Sequence, residues 1–487
     1  MITALSWVPK GAFNPIPSVP DPLSKDEIDE MKKKLALLKN SEEDVESEED
    51  MSVDASKQPA AIEQALGAAN ALGKKAGGSS FPDIADGLDE LNMDAYDDED
   101  DAIDILGMGI GDTFYPSNEL DPYLKDSNDN DSEEAEDMVI KPEDAVVVCA
   151  HVKDEKGQLL VNIIEDPDGE INQYVRNDID IADFPLCTAW LDCPIKGGEK
   201  GNFMAVGMMN PGIGIWDLDI INEDERAALT LGGFAEIQMN KKGNKIKYKE
   251  DSHTGPVLAL AWNKVYRNIL ASGSADKTVK IWDVATAKCK ITMEHHTDKV
   301  QALAWNHKEH EVLLSGSVDH TVVMRDGRVP SHSGFKWSVG ADVESLAWNP
   351  HDQHLFVASL DDGTIVGFDI RTATSNSSTE LKPKFTLHAH DKNVCAISYN
   401  PLVPNLLATG SEDKMVKLWD LSNNQPSCVA SKNLKAGAVF TLSFSEDCPF
   451  LLAIAGSRGN LKLWDTLSDA GVSKRYGTYA RQNMASS

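Results

Sequence analysis

Short apolar runs alternate with polar turns in the middle of the chain, and their spacing predicts strands. Val257 to Trp262 alternates large apolar and small residues, and strand-like runs follow at Ile269 to Ser274, Thr278 to Trp282 and Lys288 to Met293. Ala275 to Lys277, between the second and third runs, has the composition of a tight turn. Four short strands in succession predict one small antiparallel sheet.

The same unit recurs towards the carboxyl end. Trp-Asp or an altered copy closes the third run of five units, at Trp282-Asp283, Arg325-Asp326, Phe368-Asp369, Trp419-Asp420 and Trp464-Asp465. An aromatic residue closes the first run with the same steps of 43, 43, 51 and 45 residues, at Trp262, Trp305, Trp348, Tyr399 and Phe444. A repeat of about 40 to 45 residues with a Trp-Asp mark is typical of propeller blades, which cannot bury their own faces singly. We therefore expect an all-β ring.

Two further blades are predicted upstream. One comprises runs at Leu186 to Trp190, Phe203 to Gly207 and Gly214 to Asp217. The other has runs at Ala145 to Val152, Gln158 to Ile164 and Asn172 to Ile179, and lacks an innermost strand that Ile2 to Trp7 would supply. We predict a seven-bladed WD-repeat β-propeller over residues 145–480, with residues 1–9 completing a split first blade and residues 481–487 as a flexible tail. Such a split is expected to close the ring and remove exposed sheet edges.

Charge divides the chain into two parts. Residues 1–144 hold 37 acidic and 11 basic side chains, whereas the remainder holds 42 and 35, and the formal net charge is −33. An acidic segment with few aromatic residues buries too little apolar surface to offset the entropy of ordering. We therefore predict that residues 10–144 are a mostly disordered acidic insertion. A capping box at Ser24 to Glu27 predicts one helix near residues 24–40.

The acidic clusters of this insertion have two interpretations. They solubilise the chain, or they form a tether that attracts basic proteins, such as ribosomal proteins or histones, by long-range steering. The tether would repel bare RNA. Ser41 and Ser47 each precede three acidic residues, which makes both candidates for phosphorylation by an acid-directed kinase.

Basic residues indicate candidate contacts for partners. A second predicted insertion, residues 221–250, carries a lysine patch at Lys241, Lys242, Lys245, Lys247 and Lys249. This patch is a solvated loop, a nuclear-import signal or a phosphate-contacting loop for RNA. In the turns of the ring, the candidate partner-binding residues are Lys277, His320, Lys414 and Arg458.

One recurring set of side chains resembles a catalytic triad. His253, Ser272, Asp276 and Trp282 recur as His390, Thr409, Asp413 and Trp419. The fourth blade keeps His296, Ser315 and Asp319 with Arg325 in place of Trp, and the last repeat aligns with Lys435, Ala455 and Gly459 at the other three positions. Because the set appears in more than one blade, we interpret it as structural, with its groups satisfying one another, and we predict no enzyme activity.

Other motifs indicate no cofactor, metal or small-molecule substrate. Gly67 to Lys75 departs from the spacing of a phosphate loop, and the glycines at 107, 109 and 111 have no strand before them or helix after them. The seven cysteines include no Cys-x-x-Cys pair, which favours reduced, intracellular thiols. With no leader pattern and no run of about 18 apolar residues, we expect a soluble, non-secreted protein without a membrane partner.

Several segments together resemble a known family. The even spacing of Trp262, Trp305 and Trp348, the opening Met1 to Pro9, and the blocks Thr188 to Pro194 and Ile215 to Ile220 resemble the periodic tryptophan protein 1 family of eukaryotic WD-repeat proteins. The resemblance covers nearly the whole chain, including the acidic insertion. It implies a nucleolar protein of the nucleus that acts in pre-ribosomal RNA processing and large-subunit assembly, with a link to chromatin at ribosomal genes and no catalytic residues.

The sequence therefore leaves two candidate functions. The first is a non-enzymatic scaffold in ribosome biogenesis that binds pre-ribosomal and other basic proteins, and pre-ribosomal RNA directly or through them. The alternative is a histone or methyl-lysine reader that regulates ribosomal genes. The alternative requires aromatic side chains clustered at one end of the channel.

Overall fold

The computed structural model describes residues 1–14, 139–154, 156–165, 171–195, 197, 200–220, 227–238, 245–328, 334–372 and 382–486. Most of the predicted acidic insertion 10–144, including its helix near 24–40 and both Ser41 and Ser47, lies outside these residues. So do Lys241 and Lys242.

The described residues form a seven-bladed β-propeller, which confirms the predicted fold. Blade one contains β1 (Ile2–Val8), β2 (Ala145–Lys153), β3 (Lys156–Glu165) and β4 (Asn172–Ile181). Blade two contains β5 (Pro185–Leu191), β6 (Phe203–Met208), β7 (Gly212–Asp217) and β8 (Leu229–Gly232), followed by a two-stranded ribbon of β9 (Phe234–Gln238) and β10 (Lys245–Tyr248).

The remaining blades follow in chain order. Blade three contains β11 (Val257–Trp262), β12 (Ile269–Ser274), β13 (Val279–Asp283) and β14 (Lys288–Met293). Blade four contains β15 (Val300–Trp305), β16 (Val312–Ser317), β17 (Thr321–Asp326) and β18 (Phe335–Ser338). Blade five contains β19 (Val343–Trp348), β20 (Leu355–Leu360), β21 (Thr364–Asp369) and β22 (Phe385–His388). Blade six contains β23 (Ala396–Tyr399), β24 (Leu406–Gly410), β25 (Val416–Asp420) and β26 (Ser427–Lys432). Blade seven contains β27 (Val439–Phe444), β28 (Leu451–Gly456) and β29 (Lys462–Asp465).

A glycine in the second strand allows neighbouring blades to approach closely. A Cβ atom on Gly273 would lie 2.7 Å from Cγ1 of Val300, which opens the first strand of the next blade. A Cβ atom on Gly316 would clash with Val343 in the same way. A side chain at either glycine would push the blades apart, because cores are packed without spare volume. The Gly-Ser end of this strand is therefore a packing requirement of the ring.

The first and last blades meet through β1. This strand pairs antiparallel with β2, so residues on both sides of the acidic insertion build one sheet. Ile2 and Leu5 are buried in one cluster with Ala453 and Leu461 of blade seven. The indole Nε1 of Trp7 also donates a hydrogen bond to the Ser443 carbonyl, at 3.0 Å. Ring closure therefore depends on the packing of β1 against blade seven.

Blade seven differs from the predicted pattern because it has three strands among the described residues. The outer edge of this blade is therefore its third strand, β29, and every other blade also keeps an outer edge, so the split first blade does not remove the sheet edges as predicted. The chain leaves β29 through a short 3-10 turn, capped by the Asp465 carboxylate, which accepts from the Leu467 amide. It then forms a helix, α1 (Ala470–Ser486). This helix includes residues 481–486, where the sequence predicted a flexible tail.

The helix has a physical basis in its apolar spacing. Val472, Tyr476 and Ala480 are four residues apart, so they share one helical face. Val472 and Tyr476 are buried in the core cluster of blades six and seven, and Ala480 packs against it. Tertiary packing of one face is the usual source of stability for a short helix.

Candidate functional site

The triad-like sets form closed hydrogen-bond networks. In blade three, His253 Nδ1 lies 2.9 Å from Asp276 Oδ2 and its Nε2 lies 2.7 Å from Ser272 Oγ. The Trp282 indole donates to the same Ser272 hydroxyl at 2.8 Å. Blade six repeats this geometry at distances of 2.8, 2.7 and 3.1 Å, with His390, Asp413, Thr409 and Trp419. Each network joins the loop before a blade to its turn and its two middle strands.

Burial sets the protonation of these groups. It lowers the pKa of His253 in spite of the hydrogen bond to Asp276, so the imidazole is neutral near pH 7. Burial also raises the pKa of Asp276, but hydrogen bonds from His253, Thr278 and the Thr254 amide outweigh it, and the net pKa falls below its ordinary value. Ser272 is fully buried, so its hydroxyl is closed to any substrate. This geometry supports the structural interpretation.

Blade four keeps the network although Arg325 replaces the tryptophan. His296 bonds Asp319 at 3.1 Å and Ser315 at 2.9 Å, as in the other blades. The neighbouring His295 places its Nε2 2.8 Å from the Ser315 hydroxyl and so takes the partner that the indole has elsewhere. Burial lowers the pKa of His295 to about 3, which keeps it neutral. His295 therefore takes the place of the missing indole in the hydrogen-bond network of blade four.

Blade seven has a different set from the one that sequence alignment predicted. The strand register pairs Thr409 with Lys417 in blade six and Ile454 with Lys462 in blade seven. Ile454 and Arg458 therefore occupy the hydroxyl and carboxylate positions, one residue before the predicted Ala455 and Gly459. Lys435 keeps the histidine position, and Arg458 Nη1 donates to its carbonyl at 3.2 Å. The 45-residue step from Trp419 to Trp464 gives the same register, so the alignment from sequence was one residue too far along the chain.

The seven innermost strands place an aromatic residue at one mouth of the channel. These residues are Trp7, Trp190, Trp262, Trp305, Trp348, Tyr399 and Phe444. Two of them tie neighbouring blades together: the Trp305 indole donates to the Ala261 carbonyl at 3.0 Å, and that of Trp348 to the Ala304 carbonyl at 3.1 Å. Like Trp7, these two tryptophans hold their blade to the preceding one, whereas the Trp262 indole donates to the Arg267 carbonyl of its own blade.

An asparagine after the aromatic residue makes the opposite connection, which the sequence argument missed. Asn306 Nδ2 donates to the Gln353 carbonyl of the next blade at 2.9 Å, while its Oδ1 accepts from the Lys308 and Glu309 amides. Asn263 and Asn400 act in the same way. Aromatic-Asn doublets at positions 262, 305, 348 and 399 were the available signal.

Two cavities open at this aromatic mouth. One, of about 550 Å³, is lined by residues that include Trp7, Trp190 and Trp262. The other, of about 370 Å³, is lined by Trp262, Trp305, Trp348, Tyr399 and Phe444 among others. Both cavities also touch Lys264 and Glu446, which form an exposed ion pair between blades three and seven. The sequence could not show that these aromatic side chains converge.

The opposite mouth, formed by the turns after the second strands, is here named the turn face. Lys277, His320 and Lys414 are exposed there in left-handed conformations, with φ of 72°, 60° and 73°. His320 Nε2 lies 2.9 Å from Asp342 Oδ1. Of the predicted contacts, Lys414 and Arg458 share one groove, whereas Lys277 and His320 do not line it. Lys245 and Lys247 belong to β10 of the ribbon after blade two.

The part of the chain that the structure describes holds no group of three or more His, Cys, Asp or Glu side chains placed to bind a metal ion. None of its helices combines the length and apolarity needed to cross a membrane. The seven cysteines are all free thiols, and burial raises the pKa of Cys149 to about 12.

Comparison with known proteins agrees with this architecture. The WD domain, G-beta repeat model matches residues 244–283, 287–326, 332–369, 381–420 and 427–465. The chain is 39% identical over 405 residues to an uncharacterised WD repeat-containing protein of Schizosaccharomyces pombe, covering 81% of this chain and 76% of that one.

Two further relatives share one name. Periodic tryptophan protein 1 of Saccharomyces cerevisiae is 29% identical, covering 98% of this chain and 90% of that protein. Its homologue in Drosophila melanogaster is 32% identical over 200 residues, covering 41% of this chain and 39% of that protein. With the closed ring of WD repeats and its series of structural tryptophans, these matches place the chain in the periodic tryptophan protein 1 family of WD-repeat proteins.

Proposed function

We propose that this protein is a non-enzymatic scaffold of ribosome biogenesis that acts in the nucleolus, in pre-ribosomal RNA processing and large-subunit assembly. The observation that carries the proposal is the match to periodic tryptophan protein 1 along 98% of the chain. The triad-like sets support a scaffold because their hydroxyls are buried and already paired. WD-repeat propellers generally bind other proteins through their loops and faces.

The partners proposed are basic. The 37 acidic residues among the first 144 attract ribosomal proteins, or histones, before contact is made, and this attraction weakens as salt rises. Pre-ribosomal RNA is then held directly by basic loops or through the bound proteins. Affinity at the ring itself comes from a few buried anchors within a wide contact area.

Salt-graded purification tests this proposal. The tagged full-length chain is purified from nuclear extract at low and at high salt, and the co-eluting proteins and RNA are identified. We expect pre-large-subunit particles at low salt, with loss of the basic proteins held by charge at high salt. Nucleosomes without pre-ribosomal RNA would contradict the scaffold. Fluorescence microscopy of the tagged chain checks the proposed nucleolar location, which diffuse cytoplasmic signal would contradict.

One observation favours the histone or methyl-lysine reader as a second candidate. The five aromatic residues that line the 370 Å³ cavity meet at one end of the channel, as a reader would need. Against this, the indole N–H groups of Trp305 and Trp348 are occupied by backbone carbonyls. Binding of trimethyl-lysine histone peptides that is lost in Trp262→Ala but kept in Trp282→Phe would favour the reader.

A further inference from the structure

The turn face carries a groove whose lining is cationic. The groove lies where loops of blades six and seven meet, encloses about 440 Å³ and is lined by Lys414, Lys435 and Arg458 together with Asn433, Gly437 and Ser457. Its lining includes neither a carboxylate nor an aromatic ring. Within the described residues, we find no ion-pair partner for any of the three cations, whereas Arg328, Arg371 and Arg475 each pair with an aspartate. The groove is therefore built to accept an anion.

The groove borders blade seven, one of the blades without the buried network. In blade six the corresponding positions hold His390 and Asp413, whose side chains bond each other at 2.8 Å. In blade seven they hold Lys435 and Arg458, so a neutral imidazole and a carboxylate are both replaced by cations. Ile454 replaces the hydroxyl partner, which leaves nothing to satisfy a charged group inside the blade. Exchange of a structural pair for two exposed cations favours a binding role.

The loops that present these cations are fixed. Asn433 Oδ1 accepts from the Lys435 amide at 2.9 Å, and Ser457 Oγ accepts from the Ala438 amide at 3.0 Å. Lys414 and Lys435 both have left-handed backbone, with φ of 73° and 60°. Glycine adopts this conformation without strain, as Gly459 does at the turn position equivalent to Lys414. Lys277 has the same backbone at this turn in blade three, so the conformation belongs to the turn, and it fixes the point from which the Lys414 side chain extends.

The charge and shape of the groove define its ligand. A phosphate monoester carries about −1.5 to −2 charges and three strong acceptor oxygens. The three cations that line the groove balance the charge of a phosphate monoester better than that of a carboxylate ligand. The Ser457 hydroxyl and the Asn433 amide group add hydrogen-bond donors. RNA backbones are instead followed by a stripe of cations with aromatic rings for stacking, which this lining lacks. We propose that this groove binds a phosphorylated serine or threonine side chain of a partner protein.

This site does not depend on the nucleolar assignment, because it rests on the groove alone. The test uses the full-length protein and a fluorescein-labelled pentapeptide with one central phosphoserine between alanine and glycine residues. Fluorescence anisotropy at fixed ionic strength measures binding of this peptide, of its unphosphorylated form and of oligouridine. We expect the phosphopeptide to bind roughly tenfold or more tightly than the unphosphorylated form. The Lys435→Glu/Arg458→Glu variant should lose that preference.

Two matched variants separate binding from folding. Lys288→Glu reverses an exposed lysine of blade three, outside the groove, and should keep wild-type affinity. Lys435→His/Ile454→Ser/Arg458→Asp rebuilds the blade-six network, and should unfold no earlier than wild type while losing the phosphopeptide. Wild-type protein that shows no preference for the phosphopeptide, equal loss in Lys288→Glu, or a groove variant that changes oligouridine binding alone would each overturn the proposal.

Discussion

At the scale of single residues, the chain uses titratable groups to hold blades together. Burial lowers the pKa of His253, His296 and His390, and each of them also faces an aspartate. The aspartates remain ionised because the hydrogen bonds they accept outweigh their desolvation; Asp319, for example, has its pKa lowered to about 2. A neutral histidine beside a carboxylate is a stable buried arrangement that acid disturbs.

Acidification from pH 7 to pH 5 is expected to destabilise the fold. A histidine with a folded pKa below its unfolded value of about 6.5 contributes stability that is complete above that value and is lost as pH falls below it. The depressed aspartate pKa values act in the same direction, but only below about pH 4. Urea unfolding at both pH values measures the change. His253→Gln should reduce the pH slope by up to about 1.4 kcal/mol per pH unit, and an unchanged slope would contradict a neutral buried His253.

Where the motif is intact, the members of these networks could be picked out from the sequence. His253 and Asp276, 23 positions apart, lie together because the fold returns the chain to the same turn. Sequence reasoning failed in blades four and seven, where other residues take the positions of the motif. The substitution of His295 for an indole needs the three-dimensional position of Ser315. The register of Arg458, in contrast, follows from the 45-residue step between Trp419 and Trp464, and the alignment from sequence missed it by one residue.

At the scale of elements, the Trp305-Asn306 doublet connects its innermost strand to both neighbouring blades, and Asn263 and Asn400 make the forward connection in theirs. Trp305 reaches back to the Ala261 carbonyl and Asn306 reaches forward to the Gln353 carbonyl. The aromatic repeat was visible in the sequence, but its hydrogen-bond partners were not, because they lie in other blades. Its architectural role therefore rests on directed bonds as well as on buried area.

Asn306→Ala is expected to lower the free energy of unfolding by about 2–3 kcal/mol. The substitution removes the acceptor of two backbone amides and the donor to Gln353, and each buried bond is worth about 1 kcal/mol. Urea unfolding gives the value. Asn460→Ala, at an exposed asparagine, is the control and should change stability by less than about 0.5 kcal/mol. If the two variants lower the free energy of unfolding equally, the hydrogen bonds of Asn306 do not stabilise the ring.

Helix α1 is expected to stabilise blades six and seven through its buried face. Tyr476 is 6% exposed in their core cluster, whereas Tyr479 of the same helix is 36% exposed. Tyr476→Ala should cost about 3 kcal/mol, and Tyr479→Ala less than about 0.5 kcal/mol. Thermal unfolding of the two variants checks the difference. If both unfold like the wild type, the helix is not part of the folded ring.

At the scale of the whole molecule, the period predicted five blades, and strand-like runs upstream supplied the other two. Equal spacing of Trp262, Trp305 and Trp348 leaves few other folds, and Ile2 to Val8 was recognisable as an innermost strand. The chain end was not predictable in this way. Helix α1 has no counterpart in the repeat. Blade seven has three strands because the chain leaves β29 to form this helix instead of a fourth strand.

Replacement of residues 21–134 by a short Gly-Ser linker is expected to leave the ring folded. Phe13 and Ile140 are buried in one cluster with strands of blades one and two, so both ends of the insertion are fixed to the ring. The thermal unfolding midpoint should match wild type within about 2–4 °C, the shift that about 1 kcal/mol produces. Capture of basic ribosomal proteins at low salt should fall sharply. Unchanged capture would show that the acidic residues only solubilise the chain.

Pulse-labelling of ribosomal RNA after rapid depletion of the protein tests the proposed scaffold most directly. We expect synthesis of the primary transcript to continue while large-subunit precursors accumulate and mature large-subunit RNA falls. Re-expression of wild type, and of Trp282→Phe if it remains folded, should restore processing because no catalytic step is lost. Reduced transcription of ribosomal genes with normal processing of the remaining transcript would contradict the scaffold and favour the chromatin reader.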